Sequence, residues 1–269
     1  MHGTWNVLVK VGGEPMGTFQ RATTLAALAA TPPTAVGWLI AGRPAFTPGA
    51  AGLAALSAAL EVAYLWLLSA AYSRGELSVV YPIARGSAPL LAVFVGLSLL
   101  GERLAPAQLV GVGLLLLGIL AVTLPQTSGR ATLPALLTGV AIAAYTAVDR
   151  VGVRLAPPWL YGWLLVTLLA IGLSVSIWLR SKITTQKTAK GGPIPWRRAA
   201  VIGAFMWSAY LLVLFALSIA PLSVVAPVRE ISIVAVAVWG VWKLRERRAA
   251  RMKLLGAGAT LVGVVLLAL

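Results

Sequence analysis

The chain contains no cysteine, a single histidine and only seven carboxylates in 269 residues. Without cysteine, disulfides and thiolate metal sites are excluded. Because the single histidine is His2, histidine metal clusters and nucleophile triads with a histidine base are excluded as well. Apolar residues, in contrast, make up 59% of the chain, which is more than a soluble domain of this length can bury. The composition therefore predicts a polytopic helical membrane protein, and it points to no cofactor.

Apolar stretches of about 20 residues, long enough to cross the hydrocarbon core, recur along the chain. Many of the short connections between them hold proline or glycine, as at Arg43-Pro44 and Pro157-Pro158, and these residues end helices. We predict nine spans, near residues 17–41, 49–73, 78–100, 106–125, 131–149, 157–179, 198–220, 222–242 and 252–269.

One stretch of sequence occurs twice. The run Leu77–Val80, followed by Pro82, returns as Leu222–Val225, followed by Pro227. The same offset of 145 positions joins three glycine pairs: Gly111 and Gly256, Gly113 and Gly258, and Gly118 and Gly263. In a membrane protein, internal duplication is typical of a secondary transporter. The sequence therefore predicts two repeats, residues 1–125 and 131–269.

The two repeats differ in their number of complete spans. The second has five, whereas the first has four, preceded by the fragment Trp5–Lys10. That fragment is long enough for about half a span, so we expect a first helix that is truncated or that continues upstream of Met1. An odd number of spans per repeat gives the two copies opposite orientations. The expected fold is an all-α bundle of two inverted five-helix repeats, which can open alternately to either side.

The net charge of +15 is distributed in short segments between apolar stretches, without interleaved aromatic residues. This distribution indicates topology-setting charges next to anionic lipid rather than nucleic-acid binding. Fifteen basic residues fall on one side of the predicted spans and four on the other. The positive-inside rule places the first side in the cytoplasm and the C-terminus outside.

Ionisable residues inside spans are candidates for function, because each costs about 2.5–3.5 kcal/mol on insertion scales. Glu61 lies in the middle of one predicted span, and Tyr64 shares its helix face. Arg85 lies about two turns into the next span, where it could reach Glu61 or an anionic substrate. A structural Glu61–Arg85 pair that only holds the helices together is the alternative.

The second repeat has Arg229 and Glu230 at the matching position, directly after Pro227. Proline frees a backbone carbonyl and bends a helix, so Pro82, Pro89 and Pro227 predict kinks at equivalent places in two helices. Broken or kinked helices at matching positions indicate a site near the middle of the membrane. The alternative is that these prolines only relieve packing.

Two further groups of residues have a structural interpretation. Asp149 and Arg150 end a predicted span, and we expect them to form a solvated pair at the membrane interface. The glycine pairs Gly111/Gly118 and Gly256/Gly263 are each seven residues apart and lie on one helix face. Small residues on one face permit close helix contact, so these helices should pack together or form the interface of a homodimer.

Five short motifs are spread over nearly the whole chain: Trp5-Asn6-x-x-x-Lys10, Tyr81-Pro82-Ile83-Ala84-Arg85-Gly86, Gly101-Glu102-Arg103, Ala226-Pro227-Val228-Arg229-Glu230 and Arg245-Glu246-Arg247. Together they resemble the EamA-type family of the drug/metabolite transporter superfamily. The resemblance implies a ten-helix fold of two inverted five-helix repeats around a central cavity, in the inner membrane of a bacterium. It also implies export or import of metabolites, amino acids or drugs, driven by ion gradients or exchange.

The leading hypothesis is a secondary transporter of a small polar or amphipathic metabolite. Its ligand would lie near Arg85, Arg229 and Glu230, in a cavity shaped by Tyr64, Tyr81 and Tyr210. Protonation of Glu61 or Glu230 would couple transport to a proton gradient. ATP is not the expected energy source, because no glycine-rich phosphate loop with lysine is present.

Two alternatives remain open. A lipid or lipid-linked substrate flippase of the same fold is the alternative within transport. A membrane-embedded enzyme is the alternative outside transport. Such an enzyme would need paired carboxylates for a metal, or a histidine or cysteine nucleophile, and the sequence shows no close Asp-x-x-Asp arrangement.

Overall fold

The computed structural model describes residues 14–74, 77–123, 129–183, 194–229 and 250–267. Within these ranges the chain forms nine helices and no strand, so the predicted all-α fold is confirmed. In chain order the helices are α1 (Pro15–Ile40), α2 (Pro48–Arg74), α3 (Leu77–Ser98), α4 (Pro106–Thr123), α5 (Thr132–Gly152), α6 (Pro158–Ile183), α7 (Trp196–Ile219), α8 (Leu222–Arg229) and α9 (Ala250–Leu267).

The described helices agree closely with the predicted spans. Five of them, α1, α2, α5, α6 and α7, are long and apolar enough to cross a membrane. Shorter apolar stretches occur at Ile83–Ser98, Pro106–Ala121 and Gly258–Leu267. Most of the predicted span 222–242 lies outside the described residues, as does the predicted half-helix Trp5–Lys10.

The helix boundaries follow from proline, glycine and one capping carboxylate. Four helices begin with proline, whose missing N–H would have no partner at a helix start: Pro15, Pro48, Pro106 and Pro158. The Glu14 carboxylate caps α1, accepting hydrogen bonds from the backbone N–H of Met16 at 3.0 Å and of Gly17 at 2.6 Å. After α1 the chain turns through left-handed backbone at Gly42, with φ of 78°.

Prolines also lie inside helices. The helix α3 continues through positions 82 and 89, and Pro227 lies inside α8. The structure adds Pro32 and Pro33 in the middle of α1, a feature that the sequence analysis did not single out. Each interior proline removes one backbone hydrogen bond of its helix. The predicted kinking and gating role of Pro82, Pro89 and Pro227 stays a prediction.

The described helices group into two compact units. Unit 1 is drawn from Met1–Ser69 and Val148–Ile219, and unit 2 from Ala70–Ala147 and Ala220–Leu269. Each unit takes helices from both predicted repeats. The repeats divide the sequence whereas the units divide the molecule in space, so the units do not test the predicted boundaries of 1–125 and 131–269.

In unit 1, α1 packs against α6 and α7, and α6 packs against α7. The contact of α1 with α6 is formed by small or branched residues, with Trp207 packed against them: Ala26, Ala27, Val166 and Ala170. A Cβ added at Gly203 of α7 would overlap the carbonyl group of Ala22 of α1. Small residues thus let these helix backbones approach closely. Such contacts are usual in membranes, because helices in lipid associate through close packing rather than through the hydrophobic effect.

In unit 2, α4 packs against α9, α3 packs against α8, and α4 also contacts α3 and α8. Among the described residues, one apolar cluster of this unit contains Val93, Val112, Leu115, Ile119 and Leu267. Glu102, in the turn between α3 and α4, holds the beginning of α8. Its carboxylate accepts hydrogen bonds from the backbone N–H groups of Leu222 at 2.6 Å and Ser223 at 2.9 Å. These N–H groups have no partner within their own helix, and the helix dipole favours a negative charge there.

The glycines assigned to helix packing lie at the contact between α4 and α9. A Cβ added at Gly111 would lie 2.8 Å from the carbonyl oxygen of Gly263, and one added at Gly118 would overlap the carbonyl oxygen of Gly256. Gly113, on the same helix, has open space within 4 Å. The two helices are therefore in backbone contact at Gly111 and Gly118 but not at Gly113.

We expect Gly118→Ala to lower the melting temperature of the purified protein in detergent, followed by tryptophan fluorescence. The added methyl group must separate α4 from α9, and overpacking of this kind typically costs about 1–3 kcal/mol. Gly113→Ala is the matched control and should be neutral or stabilising, because alanine favours the helix by up to about 1 kcal/mol. Equal effects of the two substitutions would contradict this packing.

Candidate functional site: a buried carboxylate cluster and two arginines

A cluster of buried polar side chains surrounds Asp149, in the last turn of α5. The Asp149 side chain has no exposed surface. Its carboxylate accepts a hydrogen bond from the hydroxyl of Tyr161 in α6 at 3.0 Å and another from the hydroxyl of Tyr210 in α7. Tyr161 is fully buried as well. One carboxylate therefore joins three helices, α5, α6 and α7.

The local backbone explains how Tyr161 reaches Asp149. After α5 the chain turns within a few residues and enters α6 at Pro158, which places Tyr161 in the first turn of α6. Its ring lies directly against Gly152, where an added Cβ would be 2.6 Å from the Tyr161 hydroxyl oxygen and would overlap the ring carbons. Glycine at position 152 is thus required for the hydrogen bond between Tyr161 and Asp149.

A second carboxylate approaches the same tyrosine from α2. Glu61 lies within electrostatic reach of the Tyr161 hydroxyl, and Ser57, one turn earlier on α2, faces this hydroxyl. Both side chains are buried. The phenol of Tyr161 therefore donates a hydrogen bond to Asp149 and also lies within electrostatic reach of Glu61. Tyr64, also buried, follows Glu61 by one turn of α2.

Arg150 has a different role from its neighbour. It is 6% exposed, and its guanidinium donates a hydrogen bond to the backbone carbonyl of Leu217, in the last turn of α7. Carbonyl groups in the last turn of a helix lack partners within the helix, and the helix dipole favours a positive charge there. The expectation of a solvated interfacial pair of Asp149 and Arg150 is therefore wrong. Hydropathy placed both residues at a span end, but residues of α6 and α7 cover them.

In unit 2 the structure places Arg85 on α3, with 4% of its side chain exposed. The helices α3 and α5 approach closely beside it, since a Cβ added at Gly139 would lie 2.9 Å from the carbonyl oxygen of Ala84. Arg229, at the described end of α8, is half-buried and donates a long hydrogen bond of 3.5 Å to the hydroxyl of Thr146 in α5. Both predicted arginines thus lie on helices of unit 2.

The structure brings together part of the predicted site. Glu61 and Tyr210 join the Asp149 cluster of unit 1, which also contains Tyr161, a residue that the sequence analysis did not select. The side chains of Tyr81 and Pro82, and all of Glu230, lie outside the described residues. Glu61 belongs to unit 1 and Arg85 to unit 2, and their predicted pairing stays a prediction. Among the described residues, no group of three acidic or histidine side chains could hold a metal ion.

Comparison with known proteins gives a family. The model of the EamA-like transporter family matches residues 1–124 and again residues 130–269. A crystal structure of another protein superimposes with a TM-score of 0.68 at 15% sequence identity, covering 98% of this chain and 94% of that one. At this identity it supports the fold alone. No curated protein matches the chain. Because the family match covers both halves, the chain is a multi-pass membrane protein that belongs to the EamA-like transporter family.

Proposed function

We propose that the chain is a secondary transporter that carries a small polar or amphipathic metabolite across the inner membrane of a bacterium by alternating access. The match of one transporter family to each half of the chain carries this proposal. Alternating access requires one gate towards each side of the membrane. Two inverted copies of one fold can form two such gates of similar structure. Exchange or proton coupling would then provide the driving force, and no cofactor is needed.

The Asp149 cluster supports a role for protons in unit 1. A carboxylate kept inside a membrane bundle is costly and therefore a functional candidate by default. Here the hydroxyls of Tyr161 and Tyr210 donate to Asp149, and Glu61 lies within electrostatic reach of Tyr161. A proton added to Asp149 would rearrange the hydrogen bonds that join α5, α6 and α7, and a proton added to Glu61 would remove a negative charge that acts on Tyr161. We propose Glu61 and Asp149 as the groups whose protonation is coupled to transport. Glu230 remains a predicted second candidate.

Arg85 supports recognition of an anionic group on the substrate. An arginine presents five donors in a planar fork that matches carboxylate or phosphate. Its burial inside a membrane bundle suits a substrate site better than a lipid contact. We propose that Arg85 binds the substrate and that Arg229 of α8 is a second basic residue of the substrate site. A flippase would differ from this transporter only in its substrate, which would be a lipid. An enzyme would have to change its substrate chemically.

Transport can be tested with inverted membrane vesicles that contain the protein and a panel of radiolabelled amino acids and aromatic drugs. An imposed pH gradient should drive saturable accumulation of at least one solute, and a protonophore should release it. Vesicles without the protein are the control. Crossing of fluorescent phospholipid without solute accumulation would favour the flippase, and a chemically altered solute would favour the enzyme.

We expect Asp149→Asn and Glu61→Gln to reduce gradient-driven accumulation about tenfold or more while the amount of protein in the membrane stays near normal. The amides keep the side-chain shape but cannot take up and release the proton. Gln20→Leu is the control: it removes a 3.2 Å hydrogen bond to Ser174, which lies about 20 Å further along α6 than Tyr161. If the control loses as much accumulation as the two amides, the cluster only stabilises the fold.

Arg85→Ala should abolish transport while membrane abundance stays normal, and Arg85→Lys should retain a part of it, because lysine keeps the charge but not the planar fork. Arg103→Ala, at an exposed arginine of unit 2, is the control and should transport normally. Vesicle uptake and immunoblotting of the same membranes measure both quantities. Loss of Arg85→Ala protein from the membrane would mean a structural role, and normal uptake would place the substrate elsewhere.

A further inference from the structure

Basic and aromatic side chains collect at one end of unit 1, where α6 ends and α7 begins. We call this group the basic end of unit 1; it comprises Arg21, Arg180, Lys182, Arg197 and Arg198 together with Trp66, Trp178 and Trp196. Four of its five cations are exposed, and Arg21 is half-buried. The proposed transport site uses none of these residues.

Three of the cations lie over tryptophan rings, and Lys182 is the most distant, with its Nζ 5.8 Å from the ring centre of Trp178. The guanidinium of Arg21 lies 4.7 Å from the ring centre of Trp196 and donates a hydrogen bond to the carbonyl of Ile194 at 2.8 Å. The guanidinium of Arg180 lies 4.6 Å from the ring centre of Trp66. Stacked in this way, arginines keep most of their N–H donors directed away from the ring and available for an anion.

The charges at the start of α7 are unfavourable by themselves. Arg197 and Arg198 occupy the first turn of α7, where unpaired backbone N–H groups and the helix dipole already create a positive field. Cations at that position destabilise the helix unless an anion lies close to them. A phosphate at this place would offset the field of both the side chains and the helix start.

The tryptophans of this end show which kind of anion fits. Trp178 and Trp196 are 58% and 54% exposed. Exposed indoles next to cations are typical of the level of the lipid headgroups, where the ring contacts glycerol and acyl chains and the N–H contacts polar groups. A free inorganic anion or a nucleic acid would leave this apolar surface in water.

We propose that the basic end of unit 1 is a binding site for anionic phospholipid. The lipid phosphate lies against Arg197, Arg198 and the start of α7, and its glycerol and acyl chains contact Trp178 and Trp196. Since anionic lipid binds basic residues most strongly on the cytoplasmic leaflet, this end of unit 1 faces the cytoplasm. The site is independent of the transported substrate.

The test compares Arg197→Gln/Arg198→Gln with Arg43→Gln/Arg154→Gln. The control also removes two exposed arginines from unit 1, and Arg43 likewise stacks on a tryptophan, at 5.8 Å from the ring centre of Trp38. Native mass spectrometry of the full chain measures binding of phosphatidylglycerol and phosphatidylcholine. The parent and the control should prefer phosphatidylglycerol, and Arg197→Gln/Arg198→Gln should lose roughly tenfold or more in affinity for it.

Stability gives a second measurement with opposite expectations for the two lipids. In phosphatidylcholine nanodiscs, Arg197→Gln/Arg198→Gln should melt at the parent's temperature or above it, because two unfavourable charges have left the start of α7. Phosphatidylglycerol should raise the melting temperature of the parent and the control but not of this variant. High salt should weaken the effect. Arg180→Gln/Lys182→Gln, which changes the end of α6, serves as the second variant if the first does not fold.

Three results would overturn the proposal. One is equal loss of phosphatidylglycerol binding in the control, and another is equal binding of both lipids by the parent. The third is displacement of phosphatidylglycerol by millimolar inorganic phosphate or by a short RNA, which would mean that the site recognises a soluble anion rather than a lipid.

Discussion

The constraint on which this structure depends is that backbone N–H and C=O groups have no water to bind inside a bilayer. Helices satisfy these groups along their length but leave several unpaired at each end. The chain has few charges, and three of them cover helix ends: Glu14 at the start of α1, Glu102 at the start of α8, and Arg150 at the end of α7. Each sign agrees with the helix dipole at its position. These three charged residues therefore stabilise the helices whose ends they cover.

The second constraint is that lipid chains are as apolar as leucine, so helices gain little by hiding apolar side chains from them. Close packing must provide the association energy. The structure shows this where glycine lets backbones touch, at Gly111 and Gly118 between α4 and α9 and at Gly203 between α7 and α1. Contacts of this kind tolerate no added methyl group, whereas Gly113 on the same helix as Gly118 has free space.

The sequence predicts much of this fold, because spans and repeats are periodic properties of a single chain. Hydropathy located the described helices to within a few residues, and the spacing of Gly111 and Gly118 selected the face of α4 that meets α9. The Asp149 cluster could not be predicted in the same way. From the linear sequence, a charged residue at the end of an apolar stretch is predicted to lie at the membrane interface. Asp149 is buried only because α5, α6 and α7 meet around it in the folded protein. The signal that was present is small: Gly152 followed by Tyr161, the pair that brings the phenol onto Asp149.

The same cluster links the proposed transport cycle to the energetics of burial. Asp149 binds two phenols that belong to two other helices, so a movement that takes either phenol away from the carboxylate breaks one of these hydrogen bonds. A buried carboxylate that loses a donor is stabilised by taking up a proton, since burial disfavours its charged form. Helix movement that removes a donor and protonation of Asp149 therefore favour each other. A neutral hydrogen-bonded pair at this place would allow the movement but would give a proton gradient no means of driving it.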